Sequence, residues 1–184
     1  MTADSSCFNH CLQVPAWCPA CGEQALRPDS DKSLQCQSCG FLYYHNVAAT
    51  SSAFIETPDG FLMVYRAHDP HCGMLDLPGG FIEKHETAET ALHRELREEL
   101  GLVCEPEPQY LCSFNNRYHY AGIDYDTIDL YFLIRLENRP AINSNEELAG
   151  HVWLKPDQIP VEQIGFESVK NACAFYKNLK PGIT

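Results

Sequence analysis

Residues Gly80 to Leu102 read GFIEKHETAETALHRELREELGL, with the skeleton Gly-x5-Glu-x7-Arg-Glu-Leu-x-Glu-Glu-x-Gly-Leu. The second half predicts a helix that starts near Thr87, whose hydroxyl can cap the first turn, and stops at Gly101, which tolerates a positive φ. At about 100° per residue, Ala88, Ala91, Leu92, Leu96 and Leu100 share one broad apolar stripe that should face a core. Glu95 and Glu99 fall inside that stripe and Glu98 at its edge. An unpaired buried charge is costly. Three carboxylates there call for a partner, and a hard divalent cation with oxygen ligands, Mg²⁺ or Mn²⁺, is the natural one. Arg94 lies to one side, in reach of Glu86 or Glu98. The plainer reading is a solvated charged face with ordinary salt bridges. It is weakened because these charges interrupt the apolar stripe and do not lie opposite it.

Gly80, Glu86, Arg94, Glu95, Leu96, Glu98, Glu99, Gly101 and Leu102 also fit every fixed position of the Nudix box without a gap. On these residues the chain resembles the Nudix hydrolases. The resemblance implies an α/β fold, the Nudix α/β/α sandwich with a mixed β-sheet between helices. It implies Mg²⁺-dependent hydrolysis of a diphosphate bond in a nucleoside diphosphate linked to another moiety. Glu95, Glu98 and Glu99 would then be metal ligands, joined by a backbone carbonyl of the pair Gly79-Gly80. A further glutamate, as ligand or base, is expected from the acidic loop Asn143 to Gly150, where Glu147 fits best counting back from Trp153. Glu98 or a loop glutamate would be the general base, with Arg94 beside them in the catalytic group.

The 184 residues, 45% of them apolar, suit one globular domain of ordinary size plus a small module. The formal net charge of −12 makes a poor generic binder of nucleic acid, which needs clusters of Lys and Arg. Such a chain repels polyphosphates unless cations intervene, in agreement with the acidic helix. No apolar run approaches a membrane span. The opening MTADSSCFNHCLQVPAW lacks the basic region and apolar core of a secretory signal. A reducing cytoplasm is therefore the expected location.

Ten cysteines could suggest disulfides, but their distribution argues otherwise. Cys18-Pro-Ala-Cys21-Gly and Cys36-Gln-Ser-Cys39-Gly are two Cys-x2-Cys knuckles on turns that glycine relieves. Together they supply a closed four-sulfur zinc site, structural in kind because no position is left open. So small a module cannot bury enough core to fold alone, and bound zinc supplies the difference. It looks like a zinc ribbon. With only Arg27 and Lys32 as basic residues, it suits stability or partner contact better than nucleic acid. The expected organisation is a loose arm over residues 1–15, a zinc ribbon over 16–45 and a Nudix domain over 46–184. Cys7, His10 and Cys11 in the arm could form a second metal cluster but read more readily as two unpaired thiols and a histidine on a loose arm.

Val47 to Thr57 and Phe61 to Arg66 read as strands joined by the turn Pro58-Asp59-Gly60. His68, His71 and Cys72 read as surface residues of the loop that follows. A strand lies within Val103 to Ser113 and another over Thr127 to Leu136. Between them Arg117, Tyr118, Tyr120 and Tyr125 crowd together. They could stack on a base or ribose with Arg117 meeting a phosphate, or simply decorate an exposed hairpin. Phe166, Val169, Ala172, Cys173 and Tyr176 have helical spacing.

A four-cysteine ribbon followed at once by a Nudix domain resembles the NADH pyrophosphatase branch. That branch carries a Ser-Gln-Pro-Trp segment after the box, where this chain has Ser113-Phe114-Asn115-Asn116-Arg117. The departure speaks against NADH as preferred substrate and leaves ADP-ribose, FAD, dinucleotides and nucleotide sugars open. The small-molecule nucleotide would be cut to release a nucleoside monophosphate. Two alternatives stay alive: a nucleoside triphosphate pyrophosphohydrolase, and a nucleotide-sensing adaptor whose ribbon binds a partner. Homodimers are frequent in the family, and no residue here proves one.

Overall fold

The structure is a computed structural model that describes residues 16–104, 106–120 and 122–179. The arm expected at residues 1–15, with Cys7, His10 and Cys11, lies outside the described residues. The chain divides into two compact units, Met1–Val47 and Ala48–Thr184.

In the first unit, strands β1 (Leu26–Ser30), β2 (Ser33–Cys36) and β3 (Leu42–Tyr44) form an antiparallel sheet in the order β1-β2-β3. Its buried cluster is Cys18, Leu26, Leu34 and Cys36. The two knuckles repeat one turn. The N–H of Gly22 (φ 76°) donates to the Cys18 carbonyl, and that of Gly40 (φ 77°) to the Cys36 carbonyl. Both glycines occupy the left-handed region that a side chain disfavours. Two apolar residues and two thiols are far less core than a module this small needs.

The second unit is built on strands β4 (Ala48–Thr57), β5 (Gly60–Arg66), β6 (Leu75–Asp76), β7 (Gly79–Phe81), β8 (Gln109–Tyr120), β9 (Ile123–Arg135) and β10 (Leu148–Leu154). Five of them run in the order β10-β5-β4-β9-β8, with β6 on β5 and β7 on β4. The sheet is mixed: β4 and β9 are parallel, and the other pairs are antiparallel. Helices α1 (Ala88–Leu100) and α2 (Glu167–Asn178) cover its two faces. Strand alternation sorts the core. Ile55, Leu62 and Phe132 pack with Leu92, Leu96 and Leu100 of α1. Phe54, Phe61 and Tyr131 pack with Val169, Ala172 and Tyr176 of α2. Phe54 and Tyr176 stack at 4.3 Å, tying α2 to the centre of the sheet. This is the three-layer α/β/α sandwich with a mixed sheet.

Helix α1 has the ends its sequence dictates. The Thr87 hydroxyl accepts from the Thr90 N–H at 3.2 Å, and Gly101 closes the last turn at φ 63°. The region expected as a strand, an aromatic cluster and a second strand is one long hairpin of β8 and β9. The inward row Cys112, Phe114, Asn116, Tyr118 keeps its period of two through the cluster, so pairing continues to Tyr120↔Ile123. Among the described residues no helix is long and apolar enough to cross a membrane.

One irregularity positions everything that follows. The β4–β5 ladder pairs Glu56 with Phe61 and Thr57 with Gly60. Farther along, β7 takes the freed edge of β4 at Thr50–Ser52, and β6 takes that of β5 at Val64–Tyr65. The strands therefore fork, and the segment Leu75–Phe81 fills the fork, carrying Gly79 and Gly80.

Candidate active site

A cavity of about 640 Å³ opens at this fork. Its walls are Gly79, Gly80 and Phe81 from the fork, Glu95 and Glu99 from α1, and Glu147 just before β10. Thr50, Ser52, Asp129 and Tyr131 form its sheet side, with Asn116, Tyr118 and Tyr120 from β8 and Phe166 and Val169 at the start of α2. Two glycines make the junction possible. Gly79 has φ 140°, and a Cβ there would collide with the backbone of Ser51 and Ser52. A Cβ on Gly80 would sit 2.5 Å from the Glu95 carboxylate. The fork backbone thus lies directly against α1.

Arg94 organises the acidic wall. Its guanidinium donates to both oxygens of Glu86 (2.8 and 3.0 Å), to Glu95 at 2.8 Å, to Glu98 at 3.1 Å and to the Phe81 carbonyl at 2.9 Å. The forked donor set of arginine suits this bidentate work. Glu99 is held from the other side, where its Oε2 accepts the Gly79 N–H at 2.9 Å. Part of the partnering that the sequence assigned to a cation is thus done by Arg94 and one backbone amide.

What remains uncompensated is large. Burial, opposed by the Gly79 N–H and reinforced by Glu95, Asp76 and Glu147, pushes the Glu99 carboxyl up to about 8. Burial raises Glu95 as well, with Arg94 opposing and with Glu98 and Glu147 adding repulsion. Burial pushes Asp76 up to about 6 although Arg66 pairs with it at 3.0 Å. Acidic groups that raise one another's pKa in a partly dry pocket form an environment that a divalent cation would relax. Glu98 differs from the others. Its side chain is 57% exposed, it is bound to Arg94, and it stands outside the cavity lining.

The aromatic side carries one correction. Tyr118 and Tyr120 line the cavity, but Arg117 does not. Alternation on β8 turns Arg117 to the opposite face, where it lies 3.5 Å from Asp126. The phosphate contact expected of Arg117 has no geometric basis. Tyr118 instead stacks on Phe166 (5.7 Å) and meets Phe81 edge-on (5.5 Å). His68 lines the cavity too, whereas His71 packs edge-on against Phe166.

Among the cavity residues to which the sequence assigned no site role are Arg66, Asp76, Asp129 and Phe166. Arg66 fans over the Phe166 ring at 5.0 Å and donates to the Pro70 carbonyl. Asp129 had a legible signal. It sits in the inward row Thr127, Asp129, Tyr131, Leu133, where an apolar residue is the rule. Arg66 and Phe166 had none, because only the fold brings them together.

In the other unit the Sγ atoms of Cys18, Cys21, Cys36 and Cys39 all lie within 4.8 Å of one another. Cys18–Cys39 and Cys21–Cys36 are separated by 3.8 and 3.7 Å. A tetrahedral centre with Zn–S near 2.3 Å spaces its sulfurs about 3.8 Å apart, so the thiols fit such an ion. The backbone N–H of Cys39, helped by that of Ser38, lowers the Cys36 thiol to about 7, whereas Cys21 and Cys39 are raised, against backbone donors, by burial and by neighbouring thiols.

The domain model for NUDIX matches residues 46–172, and the chain belongs to the NUDIX family of hydrolases. The NAD-capped RNA hydrolase NudC of Photobacterium profundum is 26% identical over 157 residues, which are 83% of this chain and 54% of that protein. The chain thus spans about half the length of that curated relative. The ADP-ribose pyrophosphatase of Methanocaldococcus jannaschii is 42% identical over 62 residues, 34% of this chain and 36% of that one. Among solved structures, a NUDIX hydrolase from Nitrosomonas europaea superposes with a TM-score of 0.66 at 22% identity, covering 89% of this chain and 91% of its own. The NUDIX domain of Shewanella oneidensis NrtR, complexed with ADP ribose, gives a TM-score of 0.60 at 19% identity, covering 74% and 90%. These likenesses define the fold.

Proposed function

We propose that the protein hydrolyses a diphosphate bond in a nucleoside diphosphate linked to a second moiety, releasing a nucleoside monophosphate. The observation that carries this reading is a single cavity with carboxylates on one wall and stacking aromatics on another. That arrangement matches a substrate that is polyanionic in the middle and aromatic at an end. ADP-ribose is the leading candidate, in line with the name of the Methanocaldococcus relative. NAD and NAD-capped RNA belong in the same test because the Photobacterium relative bears that name.

Glu95, Glu99 and Glu147 would hold the divalent ion with a carbonyl of the Gly79-Gly80 pair, and Glu98 would join from the rim. Mg²⁺ or Mn²⁺, when bound, neutralises diphosphate charge and acidifies water. Arg94 fixes the Glu86, Glu95 and Glu98 carboxylates so that little reorganisation is left for the reaction itself. Tyr118 and Tyr120 stack on the nucleoside. Glu147 takes a proton from the attacking water, whose oxygen bonds to one phosphorus in line as the bridging P–O bond breaks. Its place in the cavity lining favours it over Glu98 as base. The four cysteines would hold a structural Zn²⁺.

The test is a hydrolysis screen with Mg²⁺ over ADP-ribose, NAD, NADH, FAD, nucleotide sugars, NAD-capped RNA and nucleoside triphosphates, with products read by mass spectrometry and Glu99→Gln as blank. Monophosphate from a diphosphate-linked compound supports the reading. Pyrophosphate from triphosphates replaces it with the triphosphatase alternative. Inactivity of folded, zinc-loaded protein favours the adaptor.

A further inference from the structure

We propose that Asp129 is a specificity-determining residue that accepts a hydrogen bond from an N–H or O–H group on the nucleoside side of the substrate. The inference rests on the diphosphate-hydrolase reading of the same cavity. Asp129 is 6% exposed, yet its side chain borders the cavity beside Tyr131 and Phe166. Its Oδ1 accepts from the Thr50 hydroxyl at 2.9 Å and the Thr127 hydroxyl at 2.8 Å. Its Oδ2 accepts from the Ser168 hydroxyl at 2.6 Å.

All three donors are neutral, and no ion pair reaches this carboxylate among the described residues. A carboxylate offers about four acceptor positions, so one remains, on Oδ2. A buried anion balanced only by hydroxyls gains from a further donor, and that bond is charge-assisted and strengthened by the low local dielectric. An acceptor in the same place would meet repulsion from this carboxylate. The floor of the pocket therefore selects for a donor. Two groups of a nucleoside supply one: an exocyclic amine of the base and a ribose hydroxyl.

The experiment compares kcat/KM for ADP-ribose, for inosine diphosphate ribose, in which a carbonyl replaces the amine, and for the analogue lacking the 2′-hydroxyl of the adenosine. Wild type should lose about 10- to 100-fold on one of the two analogues, mostly in KM, and that analogue identifies the donor. Asp129→Asn should lose a similar factor on ADP-ribose and nothing further on the discriminating analogue. An equal loss on all three compounds would show that Asp129 only ties β4, β9 and α2 together, and would overturn the inference. Equal use of all three by wild type would overturn it too. Should Asp129→Asn fail to fold, Thr50→Val carries the test. It removes one donor from Oδ1, so the gap between ADP-ribose and the discriminating analogue must widen, and an unchanged gap refutes the proposal. Absence of turnover on every compound would strike the hydrolase reading itself, an outcome distinct from indiscriminate turnover.

Discussion

The four cysteines that would hold zinc and the four glutamates proposed to hold a divalent ion are arranged in opposite ways. The sulfurs of Cys18, Cys21, Cys36 and Cys39 converge within 4.8 Å of one another, and among the described residues they are the group of ligand atoms that does so. Glu95, Glu98, Glu99 and Glu147 stay apart, three bordering a cavity and one on its rim. Arg94 holds Glu95 and Glu98, and the Gly79 N–H holds Glu99 from the other side. Thiols can be neutral, so they tolerate crowding before a metal arrives, whereas carboxylates repel at once. A converged set closes around an ion and leaves no open position. A dispersed set leaves room for water and phosphate. On the proposed reading, the same residue count would serve structure in one unit and chemistry in the other.

The largest expected effect breaks the converged set. Cys36→Ser should abolish zinc, measured as loss of one equivalent by elemental analysis. The small unit should unfold, since metal supplies on the order of 10 kcal/mol in such modules. Retention of zinc and of the ribbon's NMR dispersion would remove the structural role. Next in size is the dispersed set. Glu147→Gln should lower kcat by roughly 10²–10⁴-fold at little change in KM, as expected for loss of a general base. A loss confined to KM would make Glu147 a binding residue only.

A third prediction concerns Arg94→Lys, which keeps the charge but not the bidentate grip on Glu86. Turnover should fall by about 10- to 100-fold, the usual cost of disturbing groups that orient ligands, with an unchanged circular dichroism spectrum. The fourth is a pH dependence. Glu99 keeps its proton in the folded chain up to about 8, while the unfolded chain releases it near 4.5. Between those values the native state binds the extra proton, so the metal-free protein loses stability as pH rises. Melting should show Mg²⁺ stabilising more at pH 8 than at pH 5.5, and Glu99→Gln should shrink the difference, leaving the part that Glu95 and Asp76 contribute. The smallest effect belongs to Arg117→Ala, which should leave KM within about 2-fold because its side chain points away from the cavity, whereas Tyr118→Ala should raise KM by removing a stacking ring.

How much of this was legible in the chain depended on whether the signal was local. Thr87 and Gly101 mark the ends of α1 because caps are set by a residue and its immediate neighbours. The interruption of an apolar stripe by Glu95 and Glu99 is equally local, and both residues line the cavity. For Arg117, left open between a phosphate contact and an exposed hairpin position, the sequence could not decide, because proximity in sequence is not proximity in space on a strand. Neighbours there face opposite sides, and only the register of β8 with β9 says which side is which. Asp129 was overlooked for the converse reason: a lone acid in an apolar strand is visible, but its meaning lies in three hydroxyls from β4, β9 and α2.

By itself the sequence determined the family, the helix that bears the acidic residues, the two knuckles and the alternation that sorts the core, because each is written in a short contiguous stretch of chain. The tertiary structure alone decided the fork between β4 and β5, the stations of Glu95, Glu99 and Glu147 around a shared cavity, and the meeting of Arg66, Phe166 and Asp129 within it. Those depend on contacts between residues far apart along the chain, whose geometry no local pattern carries.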